Sequence, residues 1–121
     1  MTKFINLHTH QFSNDSNVLE VVNQYPWEFD SNIPTYSIGI HPWYIDENRL
    51  VSDLKTIEEK LKETACLALG ECGLDKRIEI PLETQIQVFH QQLDLVKTTE
   101  KPIILHCVAA FQEVISIKKD R

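Results

Sequence analysis

The sequence predicts an α/β fold in which parallel strands alternate with helices. The first observation is that short apolar runs, such as Leu67–Leu69 and Ile103–Leu105, have the length and composition of strands buried on both faces of a sheet. The second is that segments with apolar residues at helical spacing separate these runs, which is typical of a parallel sheet. The chain has 121 residues, of which 42% are hydrophobic and 25% charged, so we expect a single domain over residues 1–121.

Three strands are predicted before the first helix. They lie at residues 3–8, 18–22 and 35–40. The second segment also fits a helical turn, and its adjacent β-branched residues, Val21 and Val22, favour the strand. The turn-rich residues 14–17 and the two prolines within residues 25–34 predict the irregular connections between the three strands.

Helices are predicted on both sides of the central strand. Asp46 is a suitable N-cap for a helix that runs to about Glu63 and has apolar residues at helical spacing on one face. Pro81 suits the first turn of the next helix, which ends before Pro102. The apolar face of that second helix comprises Ile86, Phe89, Leu93 and Val96. The remaining predicted elements are a fifth strand at residues 103–107 and a third helix at residues 111–119.

The central strand ends in an acidic residue between two glycines. Glu71 lies between Gly70 and Gly73, and Asp75 follows four residues after Glu71. The glycines predict that the backbone turns out of the sheet at this point. A carboxylate at the C-terminal end of a buried strand lies at the edge where α/β folds place their chemistry. Glu71 is therefore the predicted centre of the site.

Histidines lie at the ends of three of the other predicted strands. His8 and His10 close the first strand, His41 the third and His106 the fifth. Because parallel strands end at the same edge of a sheet, we expect these imidazoles to converge on Glu71. His8 and His10 are two residues apart and share a face of an extended chain. Imidazole with carboxylate is a ligand set for Zn²⁺ or a similar divalent ion.

Each of these signals also has a purely structural interpretation. His106 could be a hydrogen-bonded core histidine, and Glu71 could cap the turn that follows it. His90 lies in the middle of the second helix among polar residues, which predicts a surface position. Lys76 and Arg77 follow the central strand, where they could contact substrate phosphates or remain solvated loop charges.

The cysteines and tryptophans are weaker candidates for chemistry. Cys72 and Cys107 each directly follow a candidate ligand. They should therefore face the opposite side of the sheet, as thiols packed under helices rather than as nucleophiles. Trp43 follows a His-Pro pair and is a better candidate than Trp27 for lining a pocket.

The overall composition limits the classes of function. A formal net charge of −6 argues against a basic protein that coats nucleic acid, but it allows an enzyme whose bound cations supply local positive charge. The three cysteines are odd in number and lack the spacing of a metal knuckle, which favours reduced thiols in a cytoplasmic protein. The polar N-terminus and the short apolar runs predict neither a signal peptide nor a membrane span.

Five short motifs follow one another along almost the whole chain. They are His8–His10, Gly39–Pro42, Gly70–Asp75, a helix with Gln85, Phe89, Gln92 and Leu93, and Pro102–His106. In this order they resemble the TatD-type metal-dependent deoxyribonucleases of the amidohydrolase superfamily. The resemblance implies a TIM-type (β/α)8 barrel with a divalent-metal site at its C-terminal rim. This chain would form an incomplete barrel of about five parallel strands with flanking helices.

The resemblance also implies roles for individual residues. His8 and His10 would bind one metal ion, the catalytic Glu71 would be shared between two ions, and His106 would bind the second. In addition to these ligands, we predict that His41 and Asp75 serve substrate binding, His41 by contacting a substrate phosphate and Asp75 by structuring the rim. Up to two divalent ions, with Zn, Mg or Mn as candidates, would activate a water that hydrolyses phosphodiester bonds. DNA is the implied substrate, often degraded from its 3′ end.

The sequence departs from the family pattern in several places. Asn6 stands where an aspartate commonly precedes the two histidines, and Val108 and Ala109 stand where many members carry an Arg-Asp pair. The family barrel continues through three more strands, which bring another histidine and a late aspartate without counterparts before Arg121. We therefore expect an open barrel edge, weakened metal binding and catalysis, and self-association through that edge. The alternatives are hydrolysis of another ester or an amide on the same metal site, or a catalytically inactive partial barrel.

Overall fold

The computed structural model describes residues 4–121 and contains one five-stranded parallel sheet. Its strands are β1 (Phe4–Thr9), β2 (Val18–Gln24), β3 (Tyr36–Ile38), β4 (Cys66–Asp75) and β5 (Ile103–Val108). Its helices are α1 (Leu50–Leu61), α2 (Leu82–Val96) and α3 (Phe111–Asp120), and short 3-10 turns lie at Pro26–Glu28 and Pro42–Tyr44. All five predicted strands are present, and Lys3 of the first lies outside the described residues.

The strands lie side by side in the order in which they occur along the chain. Every neighbouring pair from β1 to β5 is parallel. Sequential parallel order with helices after β3, β4 and β5 is the arrangement of a (β/α) barrel, and five strands form the predicted incomplete barrel. Residues 18–24 pair with strands on both sides, so the strand interpretation of that segment is confirmed.

The glycines of β4 do not turn the chain out of the sheet, so that prediction is wrong. Strand β4 continues through Glu71 to Asp75. Gly70 and Gly73 have φ angles of +142° and +144°, and a Cβ atom on Gly70 would lie 2.5 Å from the carbonyl oxygen of Ile104 on β5. The glycines therefore allow two strands to approach closely where the register of pairing shifts.

Helix α1 begins at Leu50, four residues after the predicted N-cap, so that boundary is also wrong. The carboxylate of Asp46 accepts a hydrogen bond from the backbone N–H of Asn48 at 2.9 Å, which forms an Asx turn before the helix. Strand β3 ends at Ile38 rather than at Ile40. The backbone N–H and carbonyl of Ile40 bond to the side chain of Gln92 on α2 instead of to a strand.

A hydrophobic core lies between the sheet and the helices. It is formed by buried residues of β3, β4, α1 and α2, with Ala110 and Ile117 from the end of the chain. The predicted face of α2 contributes buried side chains such as Phe89. Cys72 is buried in this core, and the partly buried Cys107 packs against it, as predicted for thiols packed under helices. None of the helices in residues 4–121 is long and apolar enough to cross a membrane.

Candidate metal centre

The carboxylate of Glu71 lies among four histidine side chains. Its Oε1 atom is 3.6, 3.8 and 3.9 Å from the Nε2 atoms of His8, His10 and His41. Its Oε2 atom is 3.1 Å from Nδ1 of His106. These residues come from β1, β4, β5 and the segment after β3, so the parallel topology brings together the four histidines that the sequence predicts to converge.

Two groups of donor atoms lie close enough together to be candidate sites for a divalent ion. The first comprises His8, His10 and Glu71, and the second His41, Glu71 and His106; within each, the ligand atoms lie within 4.8 Å of one another. Two ligand atoms that each bind one ion at about 2.1 Å are at most about 4.2 Å apart. The distances from Glu71 to these histidines meet that limit, so the donors fit a divalent metal with Glu71 common to both groups.

His41 differs from the other histidines in its hydrogen bonding. It is 5% exposed, and its Nδ1 accepts a hydrogen bond from the backbone N–H of Trp43 at 3.1 Å. Burial, together with the nearby His106, lowers the pKa of His41 to about 4. A neutral ring whose Nδ1 accepts carries its proton on Nε2. Nε2 therefore faces Glu71 as a donor, which suits contact with an oxygen anion better than metal ligation.

Asp75 forms a hydrogen bond with Nε2 of His106, the ring nitrogen that does not face Glu71. Its Oδ2 lies 3.0 Å from Nε2 of His106 and accepts from the indole N–H of Trp43 at 2.7 Å, while its Oδ1 accepts from the backbone N–H of Arg77. Burial raises the pKa of Asp75, but the hydrogen bonds from Trp43 and His106 outweigh it and lower the pKa to about 2. A carboxylate on the outer nitrogen of a ligand histidine fixes its tautomer and orientation. Asp75 thus bonds to three groups at this edge of the sheet, and its predicted roles in structuring the rim and in binding substrate stay predictions.

Three buried amide side chains hold the strand ends that carry the site, and sequence reasoning missed these roles. The Oδ1 atom of Asn23 on β2 accepts from the backbone N–H of Glu71 at 2.6 Å. Gln85 on α2 bonds to both the backbone N–H and the carbonyl of Asp75, as Gln92 does to Ile40. The two glutamines are seven residues apart on the buried face of α2, and polar residues on that face were the signal that could have revealed them.

The remaining candidates occupy less central positions. Lys76 forms an ion pair with Glu113 at 2.5 Å. Arg77 is exposed, and no carboxylate in residues 4–121 lies within 4 Å of its guanidinium nitrogens. His90 lies far along α2, where its Nδ1 accepts from Arg121. Burial raises the pKa of the Cys72 thiol, which keeps it protonated and argues against a nucleophile.

Comparisons with known proteins agree on one family. A family model described as TatD related DNase matches residues 1–121. The 3'-5' ssDNA/RNA exonuclease TatD of Erwinia amylovora is 32% identical over 83 residues, which cover 67% of this chain and 31% of that protein. An uncharacterized metal-dependent hydrolase of Bacillus subtilis, YabD, is 31% identical over 104 residues, which cover 84% of this chain and 38% of that protein.

A solved structure has the same fold. The TatD homolog YJJV from Escherichia coli matches with a TM-score of 0.79 and 21% identity, over 97% of this chain and 55% of that one. The predicted relation to the barrel of this family is thereby confirmed for the fold. The chain spans less than two fifths of the length of the two curated relatives described above.

Proposed function

The chain belongs to the family of TatD-related DNases, and from that membership we propose that it serves metal-dependent hydrolysis of phosphodiester bonds in single-stranded nucleic acid. The observation that carries the proposal is the position of the Glu71 carboxylate, which lies 3.1–3.9 Å from nitrogens of four histidines and belongs to both donor groups. The relatives described above are a nuclease and a metal-dependent hydrolase, which favours this chemistry over hydrolysis of an unrelated ester or amide.

We assign the ligands from the geometry around Glu71. His8, His10 and Oε1 of Glu71 would hold one ion, and Oε2 of Glu71 with Nδ1 of His106 would hold another. A bound divalent ion supplies a water of lowered pKa and stabilises negative charge on phosphoryl oxygens. Asp75 accepts a hydrogen bond from Nε2–H of His106. This bond keeps the proton on Nε2 and leaves Nδ1 free to act as a ligand.

His41 would contact the phosphate directly. Its Nε2–H points toward Glu71 and the donor groups, and its low pKa keeps the ring neutral at physiological pH. A neutral donor binds a phosphoryl oxygen without repelling the cations beside it. The buried position of His41 fixes this donor before substrate arrives, which lowers the cost of ordering it.

The proposal is tested by incubating metal-loaded protein with 5′-labelled single-stranded DNA and RNA, a small phosphodiester, a carboxylic ester and an amide. We expect shortening of the labelled strands that a chelator abolishes and that Zn²⁺, Mg²⁺ or Mn²⁺ restores. Faster turnover of the ester or amide would replace the proposal with the alternative substrate class. Absence of cleavage with every metal would support the catalytically inactive alternative.

We propose that the exposed guanidinium of Arg77 contacts the phosphate backbone of the substrate. Replacing Arg77 by Ala is expected to raise KM for an oligonucleotide about tenfold with little change in kcat, since it removes a charge that contributes to binding alone. Lys76→Ala is the matched control, because Lys76 is already paired with Glu113 and should have a smaller effect. Steady-state kinetics measure both, and equal effects of the two substitutions would remove the special role of Arg77.

Self-association through the sheet edge stays a prediction. Ile5 and Leu7 on the outer strand β1 are 64% and 70% exposed, and Leu105 on β5 is 44% exposed. Apolar side chains beside an edge strand favour pairing with another chain. A sedimentation coefficient that does not rise with protein concentration would argue against such pairing.

A further inference from the structure

Four aromatic side chains form a continuous track that begins at the metal centre. The aromatic track comprises Trp43, Tyr44, Tyr25 and Trp27. The ring of Trp43 lies 5.9 Å from that of His106, the ring of Tyr44 lies 6.4 Å from that of Trp43, and the ring of Tyr25 lies 5.4 Å from that of Tyr44. Each ring therefore lies within aromatic contact distance of the next.

The two rings nearest the metal centre are exposed to solvent. Trp43 is 52% exposed and Tyr44 is 44% exposed, although they follow His41 and Pro42, which are buried. Burial of large aromatic rings would stabilise the fold, yet these two rings stay exposed beside the metal centre. Aromatic rings are enriched at surfaces where a partner binds.

The orientation of Trp43 is fixed before any ligand binds. Its indole N–H donates to Asp75 at 2.7 Å, and its ring packs edge-to-face against the imidazoles of His41 and His106. Asp75 also holds His106. The position of the exposed ring is therefore set by the same carboxylate that positions a candidate metal ligand, and binding to it orders no additional side chain.

The far end of the aromatic track is equally rigid. Tyr25 stacks on Trp27 with ring centroids 4.9 Å apart and planes 4° apart, and the guanidinium of Arg49 lies 4.3 Å from the Trp27 ring centroid. This stack supports Tyr44, whose ring meets Trp27 edge-to-face. Tyr25 also lines a cavity of about 210 Å³ with His10, so the track returns to the other donor group of the metal centre.

The charge around the track indicates what can occupy it. The chain has a net charge of −6, and the carboxylates Glu28 and Asp30 line the cavity beside Tyr25. These acidic walls disfavour direct contact with phosphates and provide little cationic attraction for nucleic acid, so a strand bound there would turn its bases, not its phosphates, toward the protein. Attraction at these rings must come from π-faces, and the unpaired bases of a single strand present such faces, whereas bases in a duplex are already stacked.

We propose that Trp43 and Tyr44 form a stacking platform for unpaired bases of single-stranded nucleic acid, and that the aromatic track continues it to Tyr25. The proposal rests on the proposed function for its substrate class, but it concerns binding and requires no bond cleavage. Bases stacked on Trp43 would place the adjoining phosphate beside His41 and Glu71. Stacking of this kind tolerates any base sequence.

The test is equilibrium binding of dye-labelled oligonucleotides to the whole chain in chelator, followed by anisotropy. A thymidine 12-mer should bind at least about tenfold more tightly than an abasic strand of equal length, since each stacked base contributes about that factor. A duplex should bind no better than the abasic strand. The salt dependence should be shallow, with a slope of log K against log salt no steeper than about −1.5, because few phosphates are neutralised.

Variants separate stacking from bulk apolar contact. Trp43→Leu and Tyr44→Leu should each weaken binding of the 12-mer about tenfold, whereas Trp43→Phe, which keeps a π-face but loses the N–H, should stay within about threefold of wild type. Val51→Ala is the control, because Val51 is 83% exposed on α1. Circular dichroism checks that each variant folds, and the Tyr44 variant leaves the Asp75 hydrogen bond intact.

Some outcomes overturn the proposal. Equal affinity for the abasic strand, wild-type affinity in both leucine variants, or no binding of the 12-mer would each reject the stacking platform. Tighter binding of the 12-mer than of the abasic strand, without any metal-dependent cleavage, would support the platform and reject the proposed hydrolysis. Cleavage that is unchanged in both leucine variants, with unchanged affinity, would reject the platform alone.

Discussion

Glu71→Gln is expected to abolish metal-dependent hydrolysis, with a loss of about 10³-fold or more, and to lower the metal content of the protein. Glutamine keeps the size of the side chain but removes its negative charge and one of its two acceptor oxygens. Both donor groups use this carboxylate, with His8 and His10 near one oxygen and His106 near the other. One substitution therefore weakens both halves of the centre.

Elemental analysis of the purified variant provides the measurement, beside wild type loaded in the same way. Glu58→Gln is a matched control, since Glu58 is an exposed residue of α1 and its change alters the net charge by the same amount. Metal stoichiometry equal to wild type in Glu71→Gln would remove Glu71 as a ligand. Loss of metal in the Glu58 variant as well would show that the change of overall charge, and not the position, is responsible.

Much of the site could be predicted because parallel topology determines where strand ends lie. His8, His41 and His106 are far apart in sequence, yet each lies near or just beyond the C-terminal end of a strand, and strands that run the same way end at one edge. This argument requires only the number and direction of the strands. It requires no knowledge of side-chain contacts, and it correctly predicts that Glu71 lies beside these three histidines.

The supporting contacts could not be predicted in the same way. The bond from the backbone N–H of Glu71 to Asn23 joins β2 to β4 across the short strand β3, and nothing in the sequence around Asn23 distinguishes it from its neighbours. The proton position on His41 likewise depends on a backbone N–H from Trp43. Such roles follow from the distances between elements, which local patterns do not encode.

The glycines of β4 show how a correct local signal can lead to a wrong interpretation. Glycine indicates unusual backbone angles or close approach of another chain segment. The sequence favours a turn, whereas Gly70 and Gly73 have positive φ within a continuous strand. The cause is the neighbouring strand β5, whose carbonyl groups occupy the space that side chains would need.

Gly73→Ala is therefore expected to lower the free energy of unfolding by about 3 kcal/mol. Alanine is strained at a φ of +144°, and its Cβ would overlap the carbonyl oxygen of His106. Urea denaturation followed by circular dichroism measures the loss. Leu67→Ala on the same strand is the control, since Leu67 is 38% exposed and should cost about 1 kcal/mol.

The same substitution links stability to the site, because the displaced carbonyl belongs to a candidate metal ligand. Moving the backbone of His106 shifts its ring relative to Glu71 and Asp75, which hold the two ring nitrogens at 3.1 and 3.0 Å. We therefore expect Gly73→Ala to weaken metal binding even under conditions where the variant remains folded. Unfolding free energy within about 0.5 kcal/mol of wild type, with full metal content, would show that β5 can yield, and that the close approach of the strands is not what holds His106 in place.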